Sequence, residues 1–73
     1  MVDMNMTGKR IAALRHASRR TQQQLAFHLN VTGQAVSKWE NGHSLPDTAL
    51  LDELAQALGA TIDYLLTGRT LGV

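Results

Sequence analysis

Cysteine is absent from this 73-residue chain, and proline, phenylalanine, tyrosine and tryptophan occur only once each. Without cysteine, a disulfide framework and a thiolate-bound zinc site are excluded. No apolar run approaches the roughly 18 residues that span a bilayer. The first six residues also lack the basic and apolar segments of a signal peptide. We therefore expect one small cytoplasmic domain that makes no membrane contact.

Groups that could perform catalysis or bind a metal are few and scattered. The histidines His16, His28 and His43 fall on different predicted segments and form no His-x-x-x-His pair. Asp52 and Glu53 are adjacent, and adjacent residues of a helix point in different directions. We therefore expect no enzymatic activity, no metal, no cofactor and no small-molecule site.

The net charge of +1 conceals an uneven distribution along the chain. Residues 1–39 carry six basic and one acidic side chain, a net charge of +5, whereas residues 40–73 carry one basic and five acidic side chains, a net charge of −4. A basic half is suited to a polyanion such as nucleic acid. The alternative is a chance scatter of surface charges, and composition alone does not decide between the two.

Apolar residues recur at helical spacing throughout, and no stretch alternates as a half-buried strand does. Helix-capping residues and glycines punctuate this pattern and predict five short helices. The first runs from about Thr7 to Ser18, and the others lie between Thr21 and Asn30, Thr32 and Asn41, Pro46 and Gly59, and Thr61 and Gly68. The predicted organisation is a flexible leader over residues 1–6, a helical domain over 7–68 and a flexible tail over 69–73.

The second and third predicted helices match a helix-turn-helix in length and in the chemistry of their turn. Ala26 is small where the two helices would approach, and Val36 and Trp39 would anchor the third helix from behind. The remaining face of that helix carries Gly33, Gln34, Ser37 and Lys38. Gln pairs well with adenine and Lys with guanine in the DNA major groove. The alternative is an ordinary solvated face of a small helical domain.

Arg15 lies on the same helical stripe as Ile11 and Leu14, so its guanidinium is expected to point into the domain. A buried arginine needs a carboxylate, and Glu40, next to the inward-facing Trp39, is the candidate. The alternative is that Arg15 lies along the surface on its aliphatic stem.

The sequence also resembles a known family. The run from Val31 to Gly42, Val-Thr-Gly-Gln-Ala-Val-Ser-Lys-Trp-Glu-Asn-Gly, is similar to helix-turn-helix regulators of the Cro/phage-repressor (XRE) type. The similarity covers the chain from about Lys9 to Gly68. It implies an all-α, five-helix lambda-repressor-like domain that binds double-stranded DNA sequence-specifically as a homodimer and regulates transcription, as a repressor. Two half-sites about 34 Å apart would follow.

The resemblance also implies roles for individual residues. The positions that read bases in the family correspond to Thr32, Gly33, Gln34, Ser37 and Lys38. Its phosphate-binding positions fall on Gln22, Asn41, Gly42 and His43. Its structural ion pair falls on Arg15 and Glu40, and dimer contacts are expected around Ile62, Tyr64 and the tail.

Two positions depart from the family pattern. Arg19 and Arg20 stand where a glycine and an apolar residue are common, so either the turn differs or both arginines bind phosphates. Gly33 offers no side chain, which shifts base reading to Gln34 and Lys38. A module that binds a protein, such as an antitoxin, and the N-terminal domain of a larger regulator remain alternative interpretations.

Overall fold

Five helices and no strand form within residues 2–70, the part of the chain that the computed structural model describes. The predicted tail, residues 69–73, lies in part outside the described residues. The helices are α1 (Met4–Ala17), α2 (Gln22–Leu29), α3 (Gly33–Glu40), α4 (Thr48–Leu58) and α5 (Ile62–Thr67). The predicted all-α, five-helix architecture is confirmed. Over the same residues, no helix has both the length and the apolar character needed to cross a membrane.

Threonine side chains cap three of the helices at the predicted positions. Thr21, Thr32 and Thr61 accept hydrogen bonds from backbone N–H groups in the first turns of α2, α3 and α5. The cap of α2 is reciprocal, because Thr21 N donates to Gln24 Oε1 at 2.9 Å and Gln24 N donates to Thr21 Oγ1 at 3.0 Å. At the other end of α2, Asn30 adopts the left-handed conformation (φ 59°), which asparagine tolerates better than most residues. A cap of this kind contributes about 1 kcal/mol to stability.

Helix α1 begins earlier than the sequence predicts. Residues 1–6 were expected to form a flexible leader, but the helix already starts at Met4. The cause is Asp3, whose carboxylate accepts hydrogen bonds from Asn5 N at 2.9 Å and from Met6 N at 3.3 Å. A negative charge at this end also interacts favourably with the helix dipole. The predicted leader is therefore wrong for residues 4–6.

The core receives one fully buried apolar side chain from every helix. These side chains are Ile11, Leu25, Val36, Leu54 and Leu65, each with 0% of its surface exposed. Burial of one such side chain contributes about 1.5–3 kcal/mol. The stripes that predicted five separate helices therefore meet in a single core.

The pair α2 and α3 forms a helix-turn-helix, and α1 packs behind it. Ala26, 2% exposed, lies where α2 and α3 approach, and its carbonyl accepts a hydrogen bond from Val31 N at 2.9 Å. In α1, a Cβ added to Gly8 would lie 2.7 Å from the carbonyl oxygen of Glu40 and closer still to that of Trp39. The missing side chain of Gly8 thus lets α1 support the inner side of α3, while the outer side stays open.

Candidate nucleic-acid interface

Helix α3 has one buried side and one open side. Val36 and Trp39 face the core, with 0% and 5% of their surfaces exposed. Gln34 and Lys38, four residues apart and therefore on one face, are exposed to solvent. The helix is held from behind by apolar packing, and its polar side chains are free to contact a ligand.

Five of the residues predicted to contact DNA line one groove between the start of α2 and the open side of α3. The groove is formed by Gln22, Gln23, Thr32, Gly33, Gln34 and Ser37. Gln23 was not among the predicted residues, because the direction of its side chain depends on how α2 crosses α3. Lys38 lies outside this groove, one turn beyond Gln34.

The predicted ion pair between Arg15 and Glu40 is present and buried. Arg15 Nε donates to Glu40 Oε2 at 2.6 Å, and Arg15 Nη2 donates to Glu40 Oε1 at 3.0 Å. Their side chains are only 9% and 6% exposed. Hydrogen bonding to Glu40 raises the pKa of Arg15 above its usual value; burial opposes this shift, and the charge of Glu40 adds to it. The guanidinium therefore stays charged.

This ion pair also ties the start of α2 to the end of α3. Gln22 Nε2 donates to Glu40 Oε1 at 3.0 Å, and Arg15 Nη1 donates to the carbonyl oxygen of Arg20 at 2.8 Å. Three elements, α1, α2 and α3, are thus joined through one carboxylate. Because its side-chain amide donates to Glu40, Gln22 has fewer donors left for the phosphate contact that the family resemblance implies.

The loop after α3 places the other predicted phosphate contacts beside the groove. Asn41 and His43 are exposed, and Gly42 between them has a positive φ of 76°. Asn41 Nδ2 donates to Ser37 Oγ at 3.2 Å, which links the loop to the open side of α3. His43 N donates to the carbonyl oxygen of Lys38 at 2.9 Å, so the loop folds back on the last turn of the helix.

Arg19 and Arg20 are adjacent in sequence, but their side chains lie in different environments. Arg19 is exposed and has φ 60°, the left-handed conformation that glycine adopts without strain. Arg20 is half-buried in a cleft that Leu29 of α2 and Ala57 of α4 also line. Its Nη1 atom is covered and has no hydrogen-bond partner among residues 2–70. The turn is therefore built around Arg19, while Arg20 extends toward α4 and not toward the groove.

Comparisons with known proteins agree with this geometry. A helix-turn-helix family model matches residues 11–65. The HTH-type transcriptional activator BcrR of Enterococcus faecalis is 38% identical over 63 residues, which are 86% of this chain and 31% of BcrR. The P22 c2 repressor, solved in complex with a synthetic operator, superimposes with a TM-score of 0.85 at 34% identity over 88% of this chain and 97% of the repressor chain in that structure.

The same fold also occurs in an enzyme. Hydroxypropylphosphonic acid epoxidase from S. wedmorenis contains it with a TM-score of 0.80 at 24% identity, over 89% of this chain and 35% of the enzyme. Such a likeness shows the fold alone. The family match over residues 11–65 and the sequence identity to BcrR and the P22 repressor go further. The chain belongs to the helix-turn-helix transcriptional regulators of the Cro/phage-repressor (XRE) type.

Proposed function

We propose that the chain is a sequence-specific DNA-binding repressor that acts as a homodimer in the cytoplasm and inserts α3 into the major groove. The observation that carries the proposal is the open side of α3, where Gln34 and Lys38 are exposed while Val36 and Trp39 hold the helix to the core. A helix presented in this way fits a major groove about 12 Å wide.

Base reading is assigned to the open side of α3. The amide of Gln34 can pair with N6 and N7 of adenine, and the ammonium of Lys38 can donate to O6 or N7 of guanine. Thr32 and Ser37 have hydroxyl groups that bind base edges or phosphates. Gly33 lets the backbone of α3 come close to the DNA.

Phosphate binding is assigned to both ends of the helix-turn-helix. Arg19 lies before α2 and is exposed, whereas Asn41, Gly42 and His43 follow α3. Gln22 opens α2, where free backbone N–H groups favour an anion. Phosphate contacts at two separate points fix the register of a recognition helix in the groove.

Repression is proposed from the likeness to the P22 c2 repressor. The relative BcrR is a transcriptional activator, so activation is the alternative outcome. The homodimer is proposed because helix-turn-helix proteins of this kind bind two half-sites about one DNA turn apart. A reporter gene placed under the selected operator distinguishes repression from activation by the sign of the change in expression.

A selection of binding sites from a random duplex library at near-physiological salt tests the proposal. We expect an enriched palindrome whose half-sites lie about 34 Å apart. Recovery of bound DNA without an enriched motif would leave only non-specific, salt-sensitive binding and would contradict sequence-specific recognition.

A second candidate, a module that binds a protein, is favoured by one observation. Phe27 on α2 has 88% of its surface exposed, more than any other large apolar side chain in residues 2–70. The selection separates the candidates, since a protein-binding module enriches no motif. If a motif is enriched, Phe27→Gln should leave it unchanged, because Phe27 does not line the groove beside α3.

A further inference from the structure

The side chain of Gln23 occupies the space beside Gly33 at the start of α3. Within residues 2–70, and outside its own helix and adjacent residues, a Cβ added to Gly33 would have one neighbour within 4 Å, the Cγ atom of Gln23 at 3.4 Å. Gln23 and Gly33 also line the same groove. A residue of α2 therefore lies where the first residue of α3 has no side chain.

Gln23 differs from the glutamines on either side of it in its hydrogen bonding. The amide of Gln22 donates to Glu40 Oε1 at 3.0 Å, and the carbonyl of the Gln24 side chain accepts from Thr21 N at 2.9 Å. Gln23 is exposed, and its amide has no hydrogen-bond partner within residues 2–70. Of the three glutamines that open α2, only Gln23 has a side-chain amide that makes no hydrogen bond within residues 2–70, so all its donors and its acceptor are free for a ligand.

A free primary amide has a specific partner in the major groove. Its oxygen accepts from N6 of adenine while its nitrogen donates to N7, so one side chain binds one base edge through two hydrogen bonds. This pairing needs the amide to be unoccupied and to lie beside the helix that enters the groove. Gln23 meets both conditions, and its side chain lies beside Gly33.

We propose that Gln23 is a specificity-determining residue that reads an adenine in each half-site, in place of a side chain at position 33. This inference rests on the proposed function, since it requires α3 to lie in the major groove. It assigns part of the sequence readout to α2, which the family resemblance places against the DNA backbone.

The test compares binding-site selections for the wild-type chain, Gln23→Ala and Gln23→Glu. For Gln23→Ala we expect loss of preference at one base pair of each half-site and about 5- to 150-fold weaker binding per half-site. For Gln23→Glu we expect the preference at that base pair to change from adenine to cytosine, because a carboxylate accepts from N4 of cytosine. Gln34→Ala should affect a different base pair.

Gln56→Ala serves as the matched control, because Gln56 is an exposed helical glutamine on α4. It should leave both the motif and the affinity unchanged. Thermal unfolding of each variant, followed by circular dichroism, checks that the exposed substitutions leave the fold intact.

Three results would overturn the inference. An unchanged motif for Gln23→Ala removes Gln23 from base reading while leaving the proposed function in place. An equal loss of affinity for all duplexes makes Gln23 a phosphate contact and not a reader. Absence of any motif for the wild-type chain overturns the proposed function, and this inference falls with it.

Discussion

Three arginines near the first turn of the helix-turn-helix occupy different environments. Arg15 is 7% exposed and bound to Glu40, Arg19 is exposed in a left-handed backbone conformation, and Arg20 is half-buried with a covered Nη1 atom. The sequence predicted the environment of Arg15, because its partner and its helical stripe could both be identified. It did not separate Arg19 from Arg20, since their directions depend on the turn and on α4.

Removal of one partner of the buried ion pair should destabilise the fold. We expect Arg15→Ala to lower the free energy of unfolding by about 3–5 kcal/mol, because Glu40 is left buried without a counter-charge. The double variant Arg15→Met with Glu40→Leu should lose less than Arg15→Ala alone, since no charge is left unpaired. Urea unfolding measures both. A loss below about 1 kcal/mol for Arg15→Ala is typical of an exposed pair and would contradict the burial.

Substitution of Arg19 by glycine should change stability and DNA binding in opposite directions. Arg19→Gly removes a left-handed non-glycine residue and should raise the free energy of unfolding by about 1 kcal/mol. It should also reduce the magnitude of the slope of log K against log salt by about 1.8, because each protomer of the homodimer loses one phosphate contact worth about 0.9. Arg20→Gln should leave that slope unchanged, because Arg20 extends toward α4. An unchanged slope for Arg19→Gly would remove Arg19 from the interface.

At the scale of helices, local signals predicted α2 to α5 well. Each of these helices follows a polar cap, and α2, α4 and α5 end at residues in the left-handed conformation. The start of α1 was missed, because Met4, Asn5 and Met6 form no apolar stripe and the cap at Asp3 acts alone. Gln23 was missed for a different reason: its place beside Gly33 arises from the packing of two helices.

Because of the contact between α1 and α3, we expect a glycine-to-alanine substitution at position 8 to lower stability instead of raising it. In an exposed helix, glycine to alanine stabilises by about 1 kcal/mol. For Gly8→Ala we expect instead a loss of about 3 kcal/mol or more, because the added Cβ would meet the backbone carbonyls of Trp39 and Glu40. Thermal unfolding measures the change. The reverse exchange at the exposed Ala13 of α1, Ala13→Gly, should cost about 1 kcal/mol, and a more stable Gly8→Ala variant would refute the close approach.

Across the described part of the molecule, the exposed acidic side chains of α4 and α5 lie outside the proposed interface. The residues assigned to DNA lie between positions 19 and 43, in or next to the segment that carries most of the basic side chains. The exposed acidic residues Asp52, Glu53 and Asp63 belong to α4 and α5. Of the basic side chains before Glu40, Arg19 and Lys38 are exposed at the proposed interface, whereas Arg15 is buried against Glu40 and Arg20 extends toward α4. Exposed cations before α2 and in the last turn of α3 suit an approach to a polyanion from this side.

We therefore expect exposed basic side chains before and after Glu40 to contribute unequally to DNA binding. Lys38→Gln should weaken binding to the selected site and lower the magnitude of the salt slope, because each protomer loses a cation beside the DNA. Arg69→Gln, which removes the one cation beyond Glu40, should leave the slope unchanged. Filter binding at several salt concentrations measures both variants. Equal effects would indicate attraction by net charge alone, without a defined contact surface.

The fluorescence of Trp39 reports on the contact between α3 and the core. Trp39 is the only tryptophan of the chain, it is 5% exposed, and its backbone carbonyl faces Gly8 of α1. Its intrinsic fluorescence should therefore shift to longer wavelength when α3 leaves the core, and change little when a duplex meets the opposite side of the helix. A single unlabelled sample can thus report on the integrity of α3 in the presence of a DNA duplex.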